Sequence, residues 1–344
     1  MELTPRKQAV LKAVVKAYIE TGEPIGSKIL TELLENAPSS ATLRNEMSEL
    51  CELGLLMQPH TSAGRIPTSN GLRLYVDSLM TESDISDSTK KYIDDSINPA
   101  HGELEQIPDT AALVLSKLTG LPAVTCTISH GVPTIKRLEL LPVSRYSAML
   151  FIMTDDGRTR SRIFRQSSDF TPATKRLFFD VARKHLIGRT TDELNIGYIQ
   201  SIAVSAATSV LELIPLLTAV CDIASQITTR DVKLFNEGAL YNICDDEKTA
   251  RRITSLVRSK EPVISILEKV GDGVGTVFGV DTGYEELYDY SIVAAKFKVP
   301  DKYTGYIGII GQNRMSYEHI VPATLYTAQR LSAVMTKAQK DMED

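Results

Sequence analysis

The stretch Ser39-Ser40-Ala41-Thr42-Leu43-Arg44-Asn45-Glu46-Met47-Ser48-Glu49-Leu50 decides the reading of the N-terminal part. Ser39-Ser40 offers a helix cap. Leu43, Met47, Leu50 and Leu53 then recur at the spacing of one apolar helix stripe. Ala41, Thr42, Arg44, Asn45 and Ser48 therefore point away from that stripe, mostly to solvent. Gly54 follows as a stop. Such an outward side suits the major groove of DNA. Arg44 can bind guanine O6 and N7 together, Asn45 can bind adenine N6 and N7, and Ala41 can touch a thymine methyl. The Ser39, Ser40 and Thr42 hydroxyls, with the free N–H groups of the first turn, suit a phosphate.

Working outward, two helices precede this one. Thr4-Pro5 is a start signal, and Leu11, Val14, Val15 and Tyr18 carry a helix to about Glu20. Thr21-Gly22-Glu23-Pro24 ends it. A short helix follows, with Ser27 as its cap and Ile29, Leu30, Leu33 and Leu34 on its buried side, up to the turn Asn36-Ala37-Pro38. Downstream, Leu55-Leu56-Met57 reads as a strand and Gln58 to Thr68 as a turn-rich loop. An apolar pattern resumes from Leu72 to Met80. Three helices, a strand, a loop and a return give a winged helix-turn-helix over residues 1–80. In its loop, His60, Thr61, Ser62 and Arg65 can follow a phosphate backbone or a narrow groove. A winged helix used for protein contacts alone stays open as the alternative.

Charge sharpens this reading. The net charge of −5 argues against bulk attraction to nucleic acid. Residues 1–80 hold eight Lys/Arg and nine Asp/Glu, so they are not basic either. Yet no acid lies between Leu53 and Val76, where His60, Arg65 and Arg73 do lie. An electrostatic footprint for DNA must be local: the start of the third helix plus the loop.

At 344 residues the chain is long enough for two or three domains. Residues 81–105 read as an acidic, polar linker with a short helix around Lys90–Ile97 and a break at Asn98-Pro99-Ala100-His101-Gly102. From Pro108 the pattern is α+β. A helix over Asp109–Leu118 precedes strands at Ala123–Ser129, Ile135–Leu141, Ser147–Met153 and Arg160–Gln166, read as one antiparallel meander. About sixty residues without strand alternation follow, then strands near Gly275–Gly279, Ser291–Val299 and Gly305–Ile310 and a last helix over Val321–Ala338. A sheet interrupted and resumed suggests a helical insertion in one α+β domain. Its apolar faces, Leu177, Phe178 and Val181 with Leu211, Leu213, Ile214, Leu217, Val220 and Ile223, fit either a satellite core or helix–helix dimerisation.

Other chemistry is thin. No apolar run is long enough for a membrane span, and Met1–Arg6 lacks a signal-peptide core. Cysteines 51, 126, 221 and 244 form no metal or disulfide pattern, as expected of a reduced cytoplasmic protein, and Cys126 reads as an apolar filler. The five histidines are isolated, and Gly271 to Gly275 matches no phosphate-binding fingerprint. Asp155-Asp156-Gly157-Arg158 reads as a hairpin turn. Ser116, Ser129 and Ser147 lie in no nucleophile elbow. The expectation is no enzyme, no catalytic set, no metal and no cofactor.

Three strings carry a family resemblance: Glu20-Thr21-Gly22-Glu23-Pro24-Ile25-Gly26-Ser27, Ser39 to Met47, and Gln58-Pro59-His60-Thr61-Ser62-Ala63-Gly64-Arg65-Ile66-Pro67-Thr68. Near the C-terminus, Gly305 to Gly311 and Arg314-Met315-Ser316-Tyr317 extend it. The chain resembles the bacterial heat-inducible transcription repressors of the HrcA family. The resemblance implies a DNA-binding winged helix-turn-helix (1–80), a linker (81–105), a GAF-like domain (106–170 and 232–344) and an inserted dimerising domain (171–231). It implies a homodimer on a double-stranded inverted-repeat operator, CIRCE, that represses chaperone operons with support from the chaperonin GroEL. It places Ser40 to Asn45 on the recognition helix and His60 to Arg65 on the wing. A metabolite-sensing regulator, with a small ligand in the α+β domain, is the alternative.

Overall fold

The computed structural model describes residues 3–343 except 36, 62, 82, 99–105, 167–168, 206–212 and 228. The chain is α+β, with antiparallel sheets only among the described residues. Helix α1 (Pro5–Thr21) opens on the Thr4 cap, whose hydroxyl accepts from the Lys7 N–H, and stops at Gly22 with φ 73°. Helix α2 (Ser27–Leu33) starts after Gly26 with no side-chain cap. The expected cap, Ser27, instead bonds the Ser40 hydroxyl at 2.8 Å. Leu30 is buried as expected, whereas Ile29 (45%) and Leu33 (52%) stay exposed. So short a helix has only one side in contact with its neighbours.

Helix α3 (Ser40–Glu52) is capped by Ser39 and buries Leu43, Met47 and Leu50. Strands β1 (Leu56–Met57) and β2 (Ile66–Pro67) form an antiparallel ribbon, with Met57 opposite Ile66. The loop between them returns against Ile25, which exchanges backbone hydrogen bonds with Arg65 at 2.8 and 2.9 Å. A Cβ on Gly64 would lie 2.4 Å from the Ile25 carbonyl, so only glycine permits this approach. Helix α4 (Ser69–Leu74) then widens into a π turn, Tyr75–Leu79. Helix α5 (Asp87–Ser96) lies in the segment read as a linker.

After α6 (Ile107–Thr119) comes β3 (Ala123–Ser129), then β4 (Ile135–Ser144), β5 (Ser147–Thr154) and β6 (Thr159–Arg165). Helices α7 (Pro172–His185), α8 (Ile196–Ser205) and α9 (Ile214–Ala224) follow. The chain closes with β7 (Arg230–Phe235), α10 (Leu240–Ile243), α11 (Glu247–Arg258), α12 (Glu261–Leu267), β8 (Val274–Phe278), β9 (Tyr290–Val299), β10 (Tyr303–Gln312) and α13 (Tyr317–Glu343).

The expected single meander is two sheets. Strand β3 joins a five-stranded sheet ordered β7-β3-β10-β9-β8, and β4-β5-β6 stand apart. Both faces of the larger sheet are covered. Ala295, Phe297, Ile307 and Ile309 pack with residues of α6 and α13, while Val124, Cys126, Ile292 and Ile310 pack with α11 and α12. That explains its near-continuous apolar strands. The smaller sheet buries Ile135, Leu138, Leu140, Leu150 and Ile152 against Phe178, Leu217 and Val220. Described residues between Ile135 and Ile227 therefore share one core. The helix faces considered for dimerisation are mostly consumed in it: Phe178, Leu213, Leu217, Val220 and Ile223 are at most 1% exposed. Only Ile214 reaches 36% exposure, and Leu211 lies outside the described residues.

Candidate nucleic-acid interface

The N-terminus of α3 is built by two hydroxyl contacts. Ser39 Oγ accepts the Thr42 N–H at 3.2 Å and lies 2.9 Å from Thr42 Oγ1. Ser40 Oγ meets Ser27 Oγ, so the start of α3 is pinned to the start of α2. These three hydroxyls are engaged in local structure. Ala41, Arg44 and Asn45, one turn on, are exposed. Among the described residues, the Arg44 and Asn45 side chains make no hydrogen bond or ion pair. The Arg44 guanidinium and the Asn45 amide thus face solvent.

Two of the three acids of α3 are held by α1, while Glu52, in its last turn, is exposed. Glu46 pairs with Arg6 at 3.8 Å and Glu49 with Lys7 at 2.7 Å, both from α1. The hydrogen bond to Glu49 raises the Lys7 pKa, as expected of a cation held by its partner. The loop between β1 and β2 lies on the same unit. His60 and Thr61 are exposed. Gln58 Nε2 donates to the carbonyls of Thr61 (2.9 Å) and Ala63 (3.1 Å) and so braces the loop. Gln58 carried no role in the sequence reading, although it opens the third resemblance string. Arg65 is half-buried, and its guanidinium turns onto the Ala63 and Gly64 carbonyls at 3.4 and 3.5 Å. Ser62 lies outside the described residues.

Arg73 departs from the expected local footprint. It turns away from the loop, pairs with Asp281 and stacks 5.6 Å from the Phe278 ring centroid. The acid-free stretch thus presents His60 and part of Arg65, with Arg73 committed to the body.

Elsewhere several charged groups pair with one another. At the β5–β6 turn, Arg158 pairs with Asp156 at 3.1 Å, their side chains 11% and 7% exposed. This pair and the Lys233–Asp109 contact (2.8 Å) line a small polar cavity against the five-stranded sheet. Cys126 is fully buried in β3, and burial pushes its thiol up to about 12, far from a nucleophile's range. No helix among the described residues is long and apolar enough to cross a membrane.

A family model described as the HrcA protein C-terminal domain matches residues 105–321. That is more than half of the chain. The chain belongs to the HrcA family. The heat-inducible transcription repressor HrcA of Clostridioides difficile is 32% identical over 328 residues, covering 93% of this chain and 96% of that protein. Its counterpart in Acetivibrio thermocellus is 30% identical over 338 residues, 96% of each chain. A crystal structure of a hypothetical protein superposes with a TM-score of 0.69 at 25% identity, covering 98% of this chain and all of that one. These HrcA relatives span the N-terminal unit as well as the matched C-terminal part. They make the chain a member of a family of heat-inducible transcription repressors.

Proposed function

We propose that this HrcA-family chain is a cytoplasmic, sequence-specific repressor that binds the CIRCE inverted repeat as a homodimer and blocks transcription of chaperone operons. Residues 1–80 act as a winged helix-turn-helix, with α3 as recognition helix and the β1–β2 loop as wing. The five-stranded sheet with its helices is the GAF-like body, and 135–227 is the inserted dimerising unit. The carrying observation is the outward side of α3, where Arg44 and Asn45 are exposed and without partners among the described residues, beside Glu46 and Glu49, which α1 holds. Arg44, Asn45 and Ala41 read base edges. The N-terminal backbone of α3, with Ser39, Ser40 and Thr42, and the wing residues His60, Thr61, Ser62 and Arg65 contact phosphates.

The dimer uses the open face of β4-β5-β6. The register sets Leu141, Met149 and Ile163 in one cross-strand row. Leu141 is 44% and Ile163 65% exposed. A second copy on this row makes an isologous contact and presents two recognition helices to two half-sites. The family resemblance supplies the regulation: GroEL supports the folded repressor, and heat or substrate-occupied chaperonin removes it. A fold stable by only ~5–15 kcal/mol can depend on such help.

Paired substitutions test the assigned roles. Arg44→Ala should cut discrimination between the repeat and a scrambled duplex by about 10- to 100-fold, the effect of one lost bidentate base contact. Arg65→Ala should weaken both duplexes equally. Full discrimination in Arg44→Ala would remove base reading from Arg44.

A further inference from the structure

Glu318, in the first turn of α13, is held at its side chain by the N-terminal unit and at its carbonyl by the chain leaving that unit. Its carboxylate accepts a hydrogen bond from the Tyr75 hydroxyl at 2.6 Å and pairs with Lys16 of α1 at 2.8 Å. Tyr75 is 1% exposed and opens the π turn where the unit ends, so its hydroxyl is satisfied here. The Glu318 carbonyl is freed by Pro322, four residues on within α13, which has no N–H to donate. The Ser83 N–H, on the chain leaving the unit, takes that carbonyl at 3.0 Å. One residue of the body thus ties α1, the π turn and the exit chain. Arg73–Asp281 also crosses this seam, its side chains 38% and 43% exposed against 41% and 24% for Lys16–Glu318.

We propose that Glu318 is a positioning residue for DNA reading: it fixes the angle of the winged unit on the body, and so the separation and twist of the two recognition helices in a dimer. This rests on the repressor reading above. A two-fold protein reads half-sites at a set separation. Each added base pair moves the second half-site by about 3.4 Å and about a tenth of a turn. A unit held at Glu318 cannot follow that displacement, whereas a loosened one can.

The test titrates full-length wild type, Glu318→Ala and Glu318→Gln with the CIRCE repeat, with a scrambled duplex, and with repeats whose spacer is a base pair longer or shorter. Wild type should lose about tenfold or more in affinity on the altered spacers. Glu318→Ala should bind the native repeat more weakly and the altered ones within about threefold of it. Glu318→Gln keeps an acceptor for Tyr75 and should fall between. A folded Glu318→Ala chain with the wild-type spacer dependence overturns the proposal. If that variant does not fold, Tyr75→Phe removes only the hydroxyl, and an unchanged spacer dependence there overturns it equally. Wild type without preference for the repeat over the scrambled duplex would sink the repressor reading itself, a separate outcome.

Discussion

Helices α3 and α7 are both amphipathic, yet their outward sides differ. On α3 the inward residues Leu43, Met47 and Leu50 hold the unit together, while Arg44 and Asn45 face solvent without partners. On α7, Phe178 and Val181 face the core; the outward Arg183 finds Asp180 on the same helix at 3.3 Å and Lys175 lies over Phe179, while Arg176 and Lys184 stay exposed. The difference teaches where to look for function. A polar side chain that closes on its own helix contributes to solubility and little else. What sets α3 apart is that the open Arg44 and the open amide of Asn45 stand together on one helix side, whereas the open Arg176 of α7 has no such neighbour.

The largest effect should appear where the inserted unit depends on its core. Phe178 is fully buried between β4-β5-β6 and α9, so Phe178→Ala should cost about 3–5 kcal/mol in denaturant unfolding. A loss below about 1 kcal/mol would show that this core is not closed within one chain. Next comes the opposite face of the same sheet. Ile163→Asp should leave monomer stability within about 0.5 kcal/mol but abolish the dimer in light scattering. An unchanged mass would move the dimer interface elsewhere.

Legibility followed the same division. The start and stop of α1 and the cap and stripe of α3 could be read because the signals are local: Thr4-Pro5, Gly22, Ser39, and leucines at helical spacing. The sheet could not be read in this way. Strand β3 lies close to β4 in sequence but pairs with β7 and β10, more than a hundred residues away. Its fully buried run Ala123-Val124-Thr125-Cys126, against the strict alternation along β5, was the available clue to two different sheets. Helix α11 carries local signals of its own, the Asp246 cap and Ala250, Ile253, Leu256 and Val257 at helical spacing, so the sequence alone could have placed it. In the candidate interface, the outward exposure of Arg44 and Asn45 followed from helical periodicity. Arg73 could not be placed so, because its partners, Asp281 and Phe278, come from β8 and the turn after it.

Smaller effects sharpen the contrast at the helix end and at the seam. Ser39→Ala removes the α3 cap and should lower stability by about 1 kcal/mol, while also weakening DNA binding. Loss of stability without loss of binding would separate the cap from the interface. At Glu318, burial alone would raise the carboxyl pKa, but hydrogen bonds from Lys16 and Tyr75 outweigh it and hold the group below its usual value. A depressed folded pKa adds stability that is present above the unfolded value and is lost as pH falls through the folded one. The stability difference between wild type and Glu318→Gln should therefore be full at neutral pH and shrink on acidification. A difference that grows in acid would contradict this pairing.

The central claim is that a chain of net charge −5 reads DNA through one local face rather than through bulk charge. The direct measurement is the equilibrium affinity of the full-length chain for the CIRCE repeat and for a scrambled duplex of equal length, at one fixed physiological salt concentration. The account predicts a preference for the repeat of about a thousandfold or more. Equal affinity for the two duplexes would contradict it.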